Sequence, residues 1–358
     1  MDSSCIYSVI NGSAYFIDDL PSPFPEGTNE YIYRDYGISN TEFFSSVWWP
    51  DIIEWENKFG IKHTGLIIEL YNDTMKAPFE TNNNTSDYIT IGNMLLNNGG
   101  ELGLHGYNHQ PLIFKGINDD MQFGYYKMWE NEDDMRGALT ELYNFASELY
   151  KTEKFSVYVP PSNIISLEGE KILKETCPDI RIVAASYLPD SDVKACIQEF
   201  CIDDAGLINT PRITSGCLFD YYNKVTALSE LNFHYVQSHF THPDDCLDVD
   251  RGAKVGWERL KLNFEEYCSW ILNTAPDLRN MTGSEFGTAV EQFCNVSVNR
   301  EYTDNGIKVR LGGFSNEAYF LMRVNDGNIT NATGCDYTKV GYDLYLIHAT
   351  DDELFIEY

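Results

Sequence analysis

Between residues 13 and 273, short apolar runs with β-strand composition alternate with longer segments that have the periodicity of amphipathic helices. This alternation predicts βα units and a largely parallel sheet, because parallel strands need a crossover connection, which is usually a helix. We predict strands at residues 13–17, 64–70, 101–105, 155–159, 180–185 and 231–240, with one or two short strands within 200–213. About seven such units would close into a distorted (β/α)7 barrel.

The pattern of the sequence changes near residue 289. Alternating runs split by Asn, Asp and Gly then occur at 293–298, 306–311, 318–324, 342–348 and 353–358, which is typical of antiparallel strands. We therefore predict an α/β fold in two parts. Residues 1–288 would form the barrel, and residues 289–358 a small C-terminal antiparallel β domain of the sandwich type.

Polar residues with metal-binding chemistry follow two of the predicted strands. One apolar run ends in Asp18 and Asp19, and another ends in His105, with His109 four residues later. The C-terminal ends of parallel strands meet on one rim, where the active sites of barrels lie. Because a carboxylate and two imidazoles are a common divalent-metal set, Asp19, His105 and His109 are the predicted ligands. The spacing of the histidines also fits a helix face, but the flanking glycines favour a turn.

The remaining carboxylate, Asp18, is the predicted catalytic base. A divalent ion lowers the pKa of a bound water to about 7 in favourable sites, and a neighbouring carboxylate then accepts the proton. His242 precedes a proline at the end of the last predicted barrel strand and is the predicted general acid, because imidazole titrates near neutral pH. His239 is the second choice, since side chains alternate along a strand and only one of the two histidines can face the site of a regular strand. A structural role is the alternative for both.

The order of these features resembles the polysaccharide deacetylase (NodB-homology) family of metal-dependent carbohydrate esterases. The stretch Gly100-Glu101-Leu102-Gly103-Leu104-His105-Gly106-Tyr107-Asn108-His109 is similar to the family motif Glu-hydrophobic-Gly-x-His-x-x-x-His. The likeness extends over residues 10–285 in layout but is close in only three short segments, as in a divergent branch.

The resemblance implies a distorted barrel of seven strands and hydrolysis of an N- or O-acetyl group on a sugar polymer. Carried over by position, it gives the same roles as the residues themselves: Asp18 as the base, the three predicted ligands around the metal, and His242 or His239 as the acid. It also implies that the metal and a backbone N–H hold the oxyanion.

The chain departs from the family's third motif, which is Arg-x-Pro followed by an aromatic residue. Tyr158 replaces the arginine that would orient the base, and Pro161 lacks the N–H that would help to hold the oxyanion. The N–H of Ser162 or Asn163 is a candidate substitute, and Arg212, from a different strand, is a candidate for the lost positive charge. The family's fourth motif, an Asp-Trp pair, is not recognisable.

Charge and hydropathy restrict the partners. The chain has 55 acidic and 25 basic residues, a formal net charge of −30, which argues against nucleic acids and anionic membrane surfaces. No apolar run reaches the roughly 18 residues of a transmembrane helix. The first residues lack the basic and apolar regions of a secretory leader, yet a strand is predicted about a dozen residues in. We therefore expect an extracellular or cell-surface protein whose leader has been removed.

The predicted function is the metal-dependent removal of acetyl groups from an acetylated polysaccharide, with an N-acetylated amino sugar as the first candidate. Zinc is the first choice of metal, and cobalt, nickel and manganese are alternatives. Two other readings stay open. One is a non-catalytic carbohydrate-binding protein on a decayed deacetylase barrel, and the other is a glycoside hydrolase with a carboxylate pair such as Asp18 and Glu69.

Overall fold

The computed structural model describes residues 4–22, 26–187, 195–325 and 327–358. The strands are β1 (Ser4–Val9), β2 (Gly12–Leu20), β3 (His63–Ile68), β4 (Glu101–Gly106), β5 (Val157–Tyr158), β6 (Ile182–Val183), β7 (Cys201–Ile202), β8 (Ile208–Asn209), β9 (Thr214–Ser215), β10 (Val236–Thr241), β11 (Asn280–Met281), β12 (Ser297–Thr303), β13 (Gly306–Gly312), β14 (Ala318–Val324), β15 (Asn331–Thr333), β16 (Cys335–Lys339), β17 (Leu344–Ala349) and β18 (Glu353–Glu357). The α-helices are α1 (Glu30–Tyr36), α2 (Asn40–Phe43), α3 (Trp49–Phe59), α4 (Ser86–Asn97), α5 (Glu132–Leu149), α6 (Leu167–Thr176), α7 (Tyr221–Phe233), α8 (Trp257–Thr274) and α9 (Gly283–Asn295). Within these ranges, the structure contains no helix whose length and hydropathy would let it cross a membrane.

The largest sheet has the strand order β7-β8-β6-β5-β4-β3-β2-β10-β9, and β11 pairs with β2 outside this path. All pairings in it are parallel except that of β7 with β8. The segment 208–215 contains both β8, which pairs with β6, and β9, which pairs with β10. This short segment therefore belongs to strands near both ends of the strand order, so the sheet is curled towards a barrel. The predicted α/β class is confirmed, with nine strands along the path where the prediction had seven.

The central strands of the curled sheet are buried on both faces, as expected for parallel strands covered by helices. Every residue of β3 is buried, as are eight of the nine residues of β2. Helices α3 and α8 pack an aromatic cluster against this sheet, in which the rings of Trp55 and Phe264 lie 4.1 Å apart. Trp48, Trp49 and Trp257 are 1–2% exposed, so these tryptophans belong to the core and not to a sugar-binding surface.

Two four-stranded antiparallel sheets contain the rest of the strands, in the orders β1-β14-β17-β16 and β12-β13-β18-β15. Strand β1 comes from the N-terminal end of the chain and pairs with β14 from Ser4↔Val324 to Val9↔Tyr319. The predicted division at residues 288 and 289 assigned this segment to the barrel part. In the structure, this six-residue strand pairs with a strand more than 300 residues away, in the part of the chain beyond that division.

Helix α7 is absent from the sequence prediction, which instead has one strand over residues 231–240. In the structure, α7 runs to Phe233 and β10 begins at Val236. Apolar side chains are exposed along the whole helix, and they include Tyr221, Tyr222, Val225, Leu228 and Phe233. Because apolar residues are not confined to one face, the periodicity that marks an amphipathic helix is hidden.

Candidate metal centre and active site

Two carboxylates lie where β2 loses its regular pairing. The register of β2 against β3 shifts between Ile17 and Leu20, and Asp19 has a φ of +61°, in the left-handed region that few non-glycine residues adopt. In a regular strand, neighbouring side chains point to opposite faces. The irregularity therefore explains why Asp18 and Asp19 both line one cleft.

The two histidines lie at the end of β4 and in the turn that follows it. Strand β4 ends at Gly106, which has a φ of +136°, and a Cβ atom at this position would lie 2.6 Å from the carbonyl oxygen of Asn108. The turn thus requires glycine. It brings the rings of His105 and His109 to 5.4 Å between centroids. The predicted turn, and not a helix face, is confirmed.

Asp19, His105 and His109 converge on one point. Oδ1 of Asp19 lies 3.5 Å from Nε2 of His105 and 3.7 Å from Nε2 of His109, and one ligand atom of each residue lies within 4.8 Å of the others. Within the described part of the chain, no hydrogen bond reaches Oδ1 of Asp19 or Nε2 of His105, although both atoms are buried. Because buried polar atoms are normally paired, this arrangement fits a bound cation.

The protonation states of the histidines also fit a cation. Nδ1 of His105 lies 2.6 Å from the carbonyl oxygen of Val159 and donates to it, which leaves a lone pair on Nε2. Burial lowers the pKa of both His105 and His109 to about 4, so both rings are neutral at pH 7. Burial raises the pKa of Asp19, and a nearby cation would favour its ionised form. One carboxylate and two neutral imidazoles form a donor set that suits zinc and similar divalent metals.

Asp18 is held by Arg212, which lies in the segment between β8 and β9. Nη1 of Arg212 lies 2.6 Å from each carboxylate oxygen of Asp18, and the two side chains are only 1% and 2% exposed. Nη2 of Arg212 donates to Oδ1 of Asn163 at 2.5 Å, and its guanidinium packs 3.9 Å from the ring centroid of Phe240. Burial alone would raise the pKa of Asp18, but the positive charge of Arg212, and after it that of His242, keeps that pKa below its ordinary value. Asp18 is therefore ionised at neutral pH.

His242 lies between two carboxylates. Its Nε2 is 3.6 Å from Oδ2 of Asp18, and its Nδ1 is 3.4 Å from Oδ1 of Asp245. Asp245 also accepts hydrogen bonds from the backbone N–H of His242 at 3.0 Å and from Nη1 of Arg251 at 2.8 Å. Burial opposes the charge of the imidazolium, but the hydrogen bond and charge of Asp245, followed by the charges of Asp18 and Asp19, raise the pKa of His242 to about 9. In the metal-free protein, His242 is therefore protonated at neutral pH.

His239 is not part of this group of residues. Its Nδ1 lies 2.9 Å from Oγ1 of Thr214, and its ring packs against Phe219 and Phe264 in the core. Burial lowers the pKa of His239 to about 3, so its ring is neutral at neutral pH and cannot act as an imidazolium acid. The side-chain alternation along β10 thus separates the two histidines, and the structure places only His242 at the cleft.

The segment that departs from the family's third motif has an unusual backbone. Tyr158 is fully buried in the core, whereas Ser162 and Asn163 line the cleft with φ values of +53° and +59°. Non-glycine residues in the left-handed region are strained and concentrate at functional sites. The N–H of Asn163 donates to the carbonyl oxygen of Pro160 at 2.8 Å. Of the two N–H groups that the sequence offers for an oxyanion, that of Ser162 is therefore the better candidate.

The proposed metal ligands and catalytic residues line a cleft of about 1080 Å³: Asp18, Asp19, His105, His109, Arg212 and His242. Its carboxylates outnumber its arginines, because Asp73, Asp244 and Asp250 lie there in addition to the acidic residues described above. Arg212 and Arg251, its two arginines, each form ion pairs with aspartates. The cleft thus presents a negative surface that suits neutral or cationic ligands.

The sequence did not reveal two residues that support the site, Asp245 and Arg251, or the role of the Asn163 side chain. Asp245 positions His242, Arg251 contacts Asp245, and the side chain of Asn163 contacts Arg212. Asp245 has a local signal, because a carboxylate three residues after a histidine can reach it across the 3-10 turn Pro243–Cys246. The contacts of Asn163 and Arg251 depend on the tertiary structure and leave no such signal.

Glu69, the alternative partner of Asp18 in a glycoside hydrolase, lies outside the residues that line the cleft. It is fully buried, its Oε1 accepts a hydrogen bond from the N–H of Asn82 at 3.0 Å, and no hydrogen bond from a described residue reaches its Oε2. This placement does not support a catalytic pair of Asp18 and Glu69.

Glu69 instead predicts a dependence of stability on pH. Burial raises its pKa from the ordinary 4.5 to about 8. The folded state therefore binds a proton more tightly than the unfolded state, and its contribution to stability is complete below about pH 4.5 and is lost as the pH rises through 8. When the pH rises from 5 to 8, the unfolding free energy of the wild type should fall, relative to that of Glu69→Gln, by more than about 1 kcal/mol. Urea denaturation at several pH values measures this difference.

Glu130→Gln, at an exposed glutamate, is the control. Parallel curves of unfolding free energy against pH for Glu69→Gln and the wild type would refute the prediction.

Comparisons with known proteins identify a family but no activity. The model of family DUF2194, described as an uncharacterised protein conserved in bacteria, matches residues 1–346. A search of curated proteins found no match.

Three solved structures illustrate what the fold is similar to. A protein assigned as a polysaccharide deacetylase from Mycobacterium smegmatis is 16% identical, with 80% of this chain and 91% of that chain covered and a TM-score of 0.48. A CE4-family pseudoenzyme from Bacillus anthracis is 13% identical, with 73% and 61% covered and a TM-score of 0.35. An α-fucosidase from Thermotoga maritima is 11% identical, with 98% and 95% covered and a TM-score of 0.34. These likenesses are too distant to assign a substrate or an activity.

Proposed function

The chain belongs to the DUF2194 family, and we propose that it is a metal-dependent hydrolase that removes acetyl groups from an acetylated polysaccharide, with an N-acetylated amino sugar as the first candidate. One observation carries the proposal: a donor set of one carboxylate and two imidazoles lies in the same cleft as an ionised aspartate and a protonated histidine. In our proposal, the chain belongs to a divergent branch of the polysaccharide deacetylase superfamily.

Asp19, His105 and His109 would hold the metal. When bound, a divalent ion polarises the acyl carbonyl group and acidifies a water molecule. Zinc suits the mixed nitrogen and oxygen donor set, and cobalt, nickel or manganese would also fit it. The proposed location of the protein is extracellular or at the cell surface, where polysaccharides are found.

The other residues of the cleft would move protons and hold charge. Asp18, which Arg212 keeps ionised, would accept the proton of the attacking water. His242 would donate a proton to the leaving amine or alkoxide. Asp245, which contacts Nδ1 of His242, stabilises the protonated form of the ring. The N–H of Ser162 would donate a hydrogen bond to the oxyanion.

The test combines metal analysis with acetate release. We expect one equivalent of divalent ion per chain after incubation with zinc or cobalt, and acetate release from N-acetylglucosamine oligomers or O-acetylated xylan. His105→Ala should lose both properties, because it removes a buried ligand that Val159 orients. His348→Ala, at a histidine that pairs with Glu317 outside the cleft, is the matched control.

The outcomes of this test separate the candidate functions. Absence of a bound ion at saturating zinc or cobalt would contradict the proposal. Binding of the oligomers without acetate release would favour a non-catalytic carbohydrate-binding protein. New reducing ends without acetate would favour a glycoside hydrolase.

A further inference from the structure

Three exposed tyrosines line the cleft. Tyr71 donates a hydrogen bond to the backbone carbonyl oxygen of Asp19, whereas the other two are more exposed and have no role in the proposed chemistry. Tyr125 is 80% exposed, and Tyr222, the second residue of α7, is 61% exposed. An aromatic ring in water at the edge of a cleft leaves a large apolar surface uncovered. A ligand that covers such a ring gains binding energy from the burial of that surface.

The two rings belong to different sides of the proposed site. The ring of Tyr125 lies 4.7 Å from that of Tyr126, which lies 5.4 Å from the ring of His109, so Tyr125 is on the side of the metal ligands. Tyr222 lies on α7, just after the segment in which the N–H of Gly216 donates to the carbonyl oxygen of Phe240 at 2.8 Å. Phe240 precedes His242 by two residues and lines the same cleft as Gly216 and Tyr222, so the segment that leads into α7 lies beside the strand that leads to the general acid.

We propose that Tyr125 and Tyr222 each stack against a sugar ring of the same polysaccharide chain, on either side of the sugar that loses its acetyl group. The inference rests on the function proposed above and specifies its substrate as an internal stretch of a glycan chain. Tyrosine offers an uncharged flat face, which suits sugar rings in a cleft whose arginines are already paired with aspartates. Free monosaccharides would reach only one ring at a time.

Adjacent residues of α7 provide a matched pair for the test. Tyr221 is 84% exposed but does not line the cleft, whereas Tyr222 does. For the wild type, we expect kcat/KM for acetate release to be at least about tenfold higher with the N-acetylglucosamine hexamer than with free N-acetylglucosamine. Tyr222→Ala and Tyr125→Ala should each raise KM for the hexamer roughly tenfold while changing kcat little, and Tyr221→Ala should change neither.

Binding of the hexamer to the inactive Asp18→Asn variant, measured by calorimetry, keeps the two proposals distinguishable. If the hexamer binds and Tyr222→Ala weakens it about tenfold but no acetate is ever released, the stacking site stands and the deacetylase proposal falls. The stacking proposal is overturned if the hexamer binds no better than the monosaccharide, or if Tyr221→Ala and Tyr222→Ala have equal effects.

Discussion

Asp18→Asn is expected to reduce the kcat of acetate release by about a thousandfold, the range of general-base catalysis, while the metal stays bound. The substitution keeps the shape of the side chain but removes the charge that accepts a proton. Asp18 is not among the three converging ligand groups, so the donor set is left intact. Kinetics on an acetylated oligomer, together with metal analysis of the same sample, measure both parts of the prediction.

The control is another carboxylate of the same cleft. Asp73 lines the cleft, is largely exposed and pairs with Lys127 at 3.2 Å, so Asp73→Asn makes the same change of charge away from the proposed base. We expect its kcat to stay within about threefold of the wild type, in line with the screening of an exposed charge. Equal losses in the two variants, or loss of the metal in Asp18→Asn, would contradict the role of Asp18. A thermal melt should accompany both variants, because Arg212 loses its partner in the first.

Most residues of the candidate site could be predicted from the sequence, because a parallel strand and the polar residue at its end are recognisable from a short stretch of chain. Apolar runs mark the buried strands, and the residue that follows each run lies at the C-terminal edge. In this way Asp19, His105 and His109 were predicted to converge, although they belong to two separate strands. The backbone irregularity that turns Asp18 and Asp19 into the same cleft, a φ of +61° at Asp19, has no signal in the sequence.

Features that depend on distant contacts were not predictable. Strand β1 was missed because its partner β14 lies at the other end of the chain. Helix α7 was missed because its apolar residues are spread around its circumference, and one of them, Tyr222, lines the cleft. The secondary-structure prediction therefore failed where exposed apolar side chains replaced the usual amphipathic pattern.

In the proposed function, Arg212 takes the place of the missing motif arginine from another part of the fold. Tyr158 lies in the core where the resemblance to the deacetylase family would have an arginine, and it does not line the cleft. The guanidinium of Arg212 contacts both oxygens of Asp18 from the segment that joins β8 to β9. From the sequence, Arg212 was the candidate for this charge but could not be placed, because the curling of the sheet brings residue 212 next to β2. Because both side chains are buried, we expect this ion pair to contribute more to stability than the partly exposed pairs of Arg251 in the same cleft.

Arg212→Met is expected to lower the unfolding free energy of the metal-free protein by about 3–5 kcal/mol, because it removes the counter-charge that contacts both oxygens of the buried Asp18 carboxylate and leaves only His242, at 3.6 Å. The double variant Asp18→Asn/Arg212→Met should be more stable than Arg212→Met alone, since no charge is then left unpaired. Chemical denaturation of the wild type, the two single variants and the double variant measures the coupling.

The chain contains a matched control for this ion pair. Nη1 of Arg323 also contacts both oxygens of its partner, Asp343, at 2.8 and 2.7 Å, but these side chains are 52% and 27% exposed. Arg323→Met should therefore cost less than about 1 kcal/mol, as is usual for ion pairs at the surface. Similar losses for Arg212→Met and Arg323→Met would mean that burial does not set the strength of the Asp18 pair. A double variant no more stable than Arg212→Met would mean that the loss comes from packing against Phe240, and not from the charge left on Asp18.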